Sequence, residues 1–134
     1  MRAVVTDYSF PDLSVETAIL QGAGFTLDAW KEKKSAAELP ALVADADAVI
    51  TQFAPLNADV IGSMNKARVI VRYGIGVDNV DLAAAAARGI PVCNVPDYCI
   101  DEVADHTLAF LLAVTRQVVP NTQHIAAEIG RAHV

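Results

Sequence analysis

The stretch VRYGIGVDN, residues 71 to 79, holds the residues best suited to chemistry: Gly74 and Gly76, with one residue between them, behind an apolar run that ends in Arg72. Glycine leaves the backbone bare, so successive N–H groups can converge on an anion with no Cβ in the way. A carboxylate, with two oxygens, suits such a nest. Arg72 ends the apolar run beside the loop, where its forked guanidinium can grip a second anionic group. Two other readings compete. A dinucleotide loop needs a third glycine where helix and strand pack closely, and an acidic residue about 20 positions on. Asn79 stands at the third site, Asp78 puts a negative side chain where a pyrophosphate would lie, and no helix opens before Asp81, so this reading is disfavoured. A purely structural glycine turn, with Asp78 and Asn79 bonding local backbone, stays open.

A loop of this kind has to be delivered by a strand, and the chain alternates strand-like and helical segments, the mark of crossover units and a parallel sheet. The strand candidates are Ala3 to Thr6, Phe25 to Trp30, Ala48 to Gln52, Ala67 to Arg72 and Pro91 to Asn94. The first lacks alternation and suits a central strand covered on both faces, whereas the second is amphipathic and suits an edge. Between them, Ser14 offers an N-cap to a helix through Gln21, stopped by Gly22 and Gly24. Ser35 and Glu38 have capping-box spacing for a helix over about Ala36 to Ala44, which Pro40 delays or bends. Asn57 caps a helix through about Met64, and Asp81 caps one built on Ala83 to Ala87 and closed by Gly89.

Five such repeats predict an α/β fold, a flavodoxin-like doubly wound five-stranded parallel sheet, whose ligands sit at the carboxyl ends of the strands beside the switch in strand order. Gly74 and Gly76 fall at such an end. After Pro96 the texture changes: DEVADHTLAFLLAVTRQVV predicts a long apolar helix with Asp101 and Glu102 in its first turn, where the helix dipole favours negative charge. Pro120 is expected to end or kink it, and NTQHIAAEIGRAHV to start another. The expected division is a domain over 1–97 and a helical arm over 98–134.

Composition excludes several function classes. Ten basic against sixteen acidic side chains give a net charge of -6, and the one lysine group, Lys31, Lys33 and Lys34, is short, so nucleic acid is not an expected partner. The nearly uninterrupted apolar stretch Leu108 to Val114 is far below the ~20 residues of a membrane span. MRAVVTDYS runs straight into a strand pattern without a signal-peptide cleavage site, which points to the cytoplasm. Cys93 and Cys99 form no C-x-x-C pair and have no histidine at ligand spacing, so no metal site is expected and buried or half-buried free thiols are. A phosphoacceptor receiver domain shares the five-repeat layout and would use Asp7, but Thr51-Gln52 stand where the acceptor aspartate belongs and no lysine follows the fifth strand.

VRYGIGVDNVD followed by AAARGIPVCNVPDYCIDEVADHTLAFLLAVTR closely resembles the D-isomer-specific 2-hydroxyacid dehydrogenases, in the branch of phosphoglycerate dehydrogenases and C-terminal-binding proteins. Residues 69 to 116 carry the resemblance; the first 65 agree in layout more than in motif. It implies that residues 1–97 are the substrate-binding domain and that the long helix begins the NAD-binding domain. Tyr73, Gly74, Ile75 and Gly76 would then hold the carboxylate of a 2-hydroxy or 2-keto acid through backbone amides, and Arg72 would contact substrate. Thr107 would approach the cofactor, NAD or NADP, near its nicotinamide end, although a hydroxyl bonded back to the preceding helical turn accounts for it equally well. His106 is not the family's catalytic histidine.

The resemblance also implies a glycine-rich cofactor loop and a catalytic arginine, glutamate and histidine further along, and none of these occurs within the 134 residues. The expectation is therefore a truncated oxidoreductase without catalytic residues, inactive and cofactor-free by itself. The alternative is a regulatory module that pairs as a homodimer through residues 101–134, possibly by exchange of the arm, because a helix apolar all round wants to be buried.

Overall fold

Short apolar runs rich in valine, isoleucine and alanine build the strands. The computed structural model describes residues 1–128. The end of the segment NTQHIAAEIGRAHV, and with it part of the 101–134 pairing surface, lies outside the described residues. Contacts divide the chain into Met1–Tyr98 and Cys99–Val134.

In the first unit, β1 (Arg2–Val5), β2 (Thr26–Ala29), β3 (Ala48–Thr51), β4 (Ile70–Arg72) and β5 (Val92–Cys93) form one parallel sheet in the order β2-β1-β3-β4-β5. This is the flavodoxin-like order, with its switch between β1 and β3. Burial follows position: all of β3 is buried, as is all of β1 beyond Arg2, while edge strand β2 is mostly exposed.

Successive strand residues face opposite sides of a sheet, and the core divides accordingly. Val4, Val49 and Ile70 join Leu39, Val43, Val60, Ile61, Met64 and Ala85 in one cluster. Their neighbours Val5 and Ile50 join Leu13, with Leu20, Leu27, Val71 and Tyr73 packed beside them. Helix α1 (Ser14–Gly22) therefore covers one face, and α2 (Leu39–Val43), α3 (Ala58–Ser63) and α4 (Leu82–Ala87) the other. Each fully buried aliphatic side chain in these clusters contributes about 1.5–3 kcal/mol relative to exposure.

Asn57 and Asp81 cap as their spacing predicts, accepting the N–H of Val60 at 3.0 Å and of Ala84 at 2.9 Å. Other boundaries differ. Ser14 is the first helical residue rather than the cap, because the Asp12 carboxylate accepts its N–H at 2.8 Å. That bonding to Ser14 holds the Asp12 carboxyl below its ordinary pKa. The Ser35 N–H and hydroxyl both reach Glu38, at 3.0 and 2.7 Å, but they close a turn ahead of the helix. Helix α2 opens only at Leu39, since Pro40 has no N–H to give and is tolerated in a first turn. Cys93 is exposed rather than buried, because two-residue β5 is the outer strand of the sheet; Cys99 is half-buried, and both thiols are free.

The second unit consists of α5 (Ile100–Thr115) and α6 (Val118–Glu128). The break does not fall at Pro120. It lies at Gln117, whose φ of 49° reverses the chain, and Pro120 sits in the first turn of α6. A proline inside a continuous helix would clash with the carbonyl four residues earlier, here that of Arg116, so the chain leaves the helix before reaching it. Asn121 Nδ2 donates to the released Arg116 carbonyl at 3.3 Å. No residue of α5 is buried, and no described helix is long and apolar enough to cross a membrane.

Candidate functional site

Strand β4 hands the chain to Arg72–Gly76 at its carboxyl end, one strand from the switch between β1 and β3. The Tyr73 N–H continues the ladder, donating to the Thr51 carbonyl at 2.9 Å, and the Gly74 N–H folds back onto the Arg72 carbonyl at 2.9 Å. Two of the four amides in the anticipated nest are thus engaged. The other two are not: the N–H groups of Ile75 and Gly76 meet no acceptor among the described residues.

Their direction follows from the carbonyls. The Gly74 carbonyl accepts the Val95 N–H at 3.0 Å, and the Ile75 carbonyl accepts Asn94 Nδ2 at 2.8 Å. In a trans peptide the C=O and the following N–H point opposite ways, and the chain contains no cis peptide. With both carbonyls aimed at residues 94–95, the N–H groups of Ile75 and Gly76 face away from that segment together. The pair can bind one oxygen each of a carboxylate.

Gly74 is required by the packing. Its φ is 139°, and a Cβ there would run into the Arg72 guanidinium. Arg72 Nη1 donates to the Tyr73 carbonyl at 2.9 Å, its guanidinium carbon lies 5.9 Å from the Phe53 ring centre, and its Nε is buried with no acceptor among the described residues. A buried donor left unpaired costs about 1–3 kcal/mol, so this edge of Arg72 wants an acceptor. At Gly76 the neighbour is Asp78, with Oδ2 3.4 Å from where a Cβ would stand. Asn79 has a structural duty: its Nδ2 donates to the Ala54 carbonyl at 2.9 Å, and its own carbonyl accepts the Leu56 N–H at 2.7 Å.

The Tyr73 hydroxyl donates to the Glu16 carboxylate at 3.1 Å, and Phe10 packs edge-on to its ring at 5.2 Å. Burial, then the Glu16 charge and the hydrogen bond to it, raise the Tyr73 pKa well above the ordinary tyrosine value. It stays a neutral donor and pins the loop to α1.

Four residues invisible to sequence reasoning complete the site. A cavity of about 270 Å³ is lined by Phe10, Gln52, Tyr73, Gly74, Val95 and Tyr98, drawn from the segments after β1, β3, β4 and β5. The signal for Phe10, Gln52, Val95 and Tyr98 was positional, since each follows the carboxyl end of a strand. Gln52 joins two of these loops, accepting the Ser9 N–H at 2.6 Å and donating to its hydroxyl at 2.9 Å. Beneath it, Asp7 is only 2% exposed and accepts the backbone N–H groups of Gln52, Phe53 and Ala54 at 3.1, 2.6 and 3.1 Å. The aspartate that a receiver domain would offer to chemistry is consumed in holding the loop after β3.

In the second unit the Thr107 hydroxyl donates to the Val103 carbonyl at 2.7 Å, and His106 stacks edge-on to Phe110 at 4.3 Å.

Comparison with known proteins supplies the family. The chain is 38% identical over 103 residues to the D-3-phosphoglycerate dehydrogenase of Mycobacterium leprae, covering 76% of this chain and 20% of that protein. It is 33% identical over 104 residues to the glyoxylate reductase of Pyrococcus furiosus, covering 75% of this chain and 31% of that protein. The crystal structure of NAD+-bound 3-phosphoglycerate dehydrogenase from Entamoeba histolytica superposes with a TM-score of 0.73 at 28% identity, over 84% of this chain and 38% of that one. The chain thus spans about a fifth to a third of the curated relatives. The family model described as D-isomer specific 2-hydroxyacid dehydrogenase, catalytic domain, matches residues 4–132, and the chain belongs to that family.

Proposed function

We propose that Met1–Tyr98 is the substrate-binding part of an NAD- or NADP-dependent D-2-hydroxyacid dehydrogenase, acting in the cytoplasm, and that it holds the carboxylate of a small 2-hydroxy or 2-keto acid. The observation that carries this is the paired orientation of the Ile75 and Gly76 N–H groups, fixed by the bonds of the two preceding carbonyls to Val95 and Asn94. Tyr73 and Gly74 shape the loop, and Arg72 has a buried N–H for a further acceptor. Residues 99–134 are then the start of the cofactor domain.

Hydride transfer requires a nicotinamide held against the substrate carbon, which is the chemistry the cofactor supplies. The described residues do not form that site: the Thr107 hydroxyl proton goes to the Val103 carbonyl, and the glycine loop is assigned to the acid. These 134 residues are therefore expected to bind acid without turning it over.

Isothermal titration with pyruvate checks this. Two charge-assisted bonds of about 1.5–3 kcal/mol each correspond to a dissociation constant on the order of millimolar. Equal affinity for acetone, which lacks the carboxylate, would overturn the reading. NADH consumption by the purified chain would overturn the expected inactivity.

A second reading is favoured by α5, where Leu108, Phe110, Leu111, Leu112 and Val114 are all more than half exposed. The arm then serves as a homodimerising surface, with or without exchange between protomers.

A further inference from the structure

Among the described residues Asp7 is the buried carboxylate, and no ion pair reaches it. Burying such a group is costly unless hydrogen bonds surround it, and here its two oxygens are surrounded unequally. Oδ1 accepts the N–H groups of Gln52 and Ala54, both at 3.1 Å, and the hydroxyls of Thr6 and Thr51 at 3.0 and 3.3 Å. Oδ2 accepts the Phe53 N–H at 2.6 Å, the shortest of these contacts.

Phe53 is the odd member of that loop. Its neighbours Gln52 and Ala54 are buried, whereas Phe53 is 54% exposed and belongs to neither core cluster. Packing in the core therefore does not fix its ring; the bond from its backbone to Asp7 sets where the ring starts. The ring in turn stands 5.9 Å from the guanidinium carbon of Arg72, within cation–π range. The hydrogen bond of that guanidinium is from Nη1 to the Tyr73 carbonyl. One bond leaves a flat group free to turn about it, and a ring alongside limits the turning.

Resting on the acid-binding function proposed above, we propose that Asp7 is a positioning residue for the acid site: through Oδ2 it fixes Phe53, whose ring keeps the Arg72 guanidinium beside the glycine loop. Oδ1 holds the loop after β3 for the fold, and Oδ2 serves the site. Asp7→Asn separates the two duties. With its remaining oxygen placed where two N–H groups and two hydroxyls converge, the amide turns its NH2 on the Phe53 N–H, donor against donor, and releases Phe53 alone.

The test is titration of the isotope-labelled 134-residue protein with pyruvate, followed at the Ile75 and Gly76 amide resonances, together with the Arg72 Nε–H resonance of the free protein. An exposed cation–π contact corresponds to a factor of about two to five in an equilibrium constant. Asp7→Asn and Phe53→Leu should each weaken pyruvate binding by that factor and shift the Arg72 Nε–H as the ring leaves. The double variant should bind no more weakly than either single one, Phe53→Tyr should bind like the wild type, and in an Arg72→Ala background neither substitution should matter. A merely structural Asp7 gives additive losses, or losses that persist without Arg72, and either result would overturn the proposal. So would wild-type affinity and an unmoved Arg72 Nε–H in Asp7→Asn. Should that variant fail to fold, Phe53→Leu and the coupling across the hydrogen bond between the Phe53 amide and the Asp7 carboxyl carbon in the wild type decide, and absence of either effect defeats it. Pyruvate that leaves the wild-type Ile75 and Gly76 amides unmoved would remove the acid-binding reading and this proposal together, whereas binding indifferent to Asp7→Asn removes this proposal alone.

Discussion

At the scale of single residues, Gly74 shows how a motif can be visible while its reason is hidden. Sequence spacing picks out the glycine pair as bare backbone around an anion. The structure gives the two glycines different duties: Gly76 belongs to the free amide pair, whereas Gly74 accommodates a φ of 139° and makes room for the Arg72 guanidinium. Gly74→Ala therefore carries two separable costs. Backbone strain at such a φ is about 1–3 kcal/mol, and the guanidinium must also leave the Tyr73 carbonyl. Urea denaturation should show a loss of that order in the wild-type background and a smaller one in an Arg72→Ala background, where only the strain remains. Equal losses in both would mean that Arg72 does not crowd this position. Asp7 is the opposite case, a residue whose role no local spacing could reveal. The backbone N–H groups it accepts lie 45 to 47 positions away, at Gln52, Phe53 and Ala54, and meet it only because β1 and β3 are neighbours in the sheet.

At the scale of elements, the alternation of strands and helices was legible because composition and period act locally. The capping of α3 by Asn57 and of α4 by Asp81 is equally local. Boundaries that depended on a neighbour's choice were not legible. Pro40 delays its helix as expected, whereas Pro120, expected to end or kink one, sits in an opening turn instead; a proline in the first turn occupies a site where the missing N–H has no intrahelical partner. The price at the second is Gln117, a non-glycine residue in the left-handed region at about 1–2 kcal/mol. Pro120→Ala removes the ring and restores an N–H able to reach the Arg116 carbonyl. The expected outcome is one continuous helix from Ile100 to Glu128, with the Gln117 backbone chemical shifts moving to right-handed helical values and a gain in helicity. Persistence of a positive φ at Gln117 in the variant would show that the break has another cause.

At the scale of the whole molecule, the two units differ in what they bury. The sheet of Met1–Tyr98 is closed by its own helices, with Leu39, Leu56, Ile61 and Ile70 fully buried. The second unit carries apolar residues on more than one side of α5 and buries none of them. A helix of that composition is stable in water only when something covers it. The sequence foretold this imbalance, since Leu108 to Val114 is too apolar for a solvated surface, but it could not identify the cover. The relatives are roughly two and a half to four times as long as this chain, and for the chain alone a second copy is the cover at hand. Sedimentation should therefore show a concentration-dependent monomer–dimer equilibrium at micromolar protein. Leu111→Glu is the probing substitution. Each Leu111 taken out of contact costs about 1.5–3 kcal/mol, and two are lost per symmetric dimer, so the dimer dissociation constant should rise by roughly a hundredfold or more. Because Leu111 belongs to no cluster of the sheet domain, acid binding at the glycine loop should persist in the monomeric variant. A wild-type chain that stays monomeric through the micromolar range would show that α5 does not pair with its own copy.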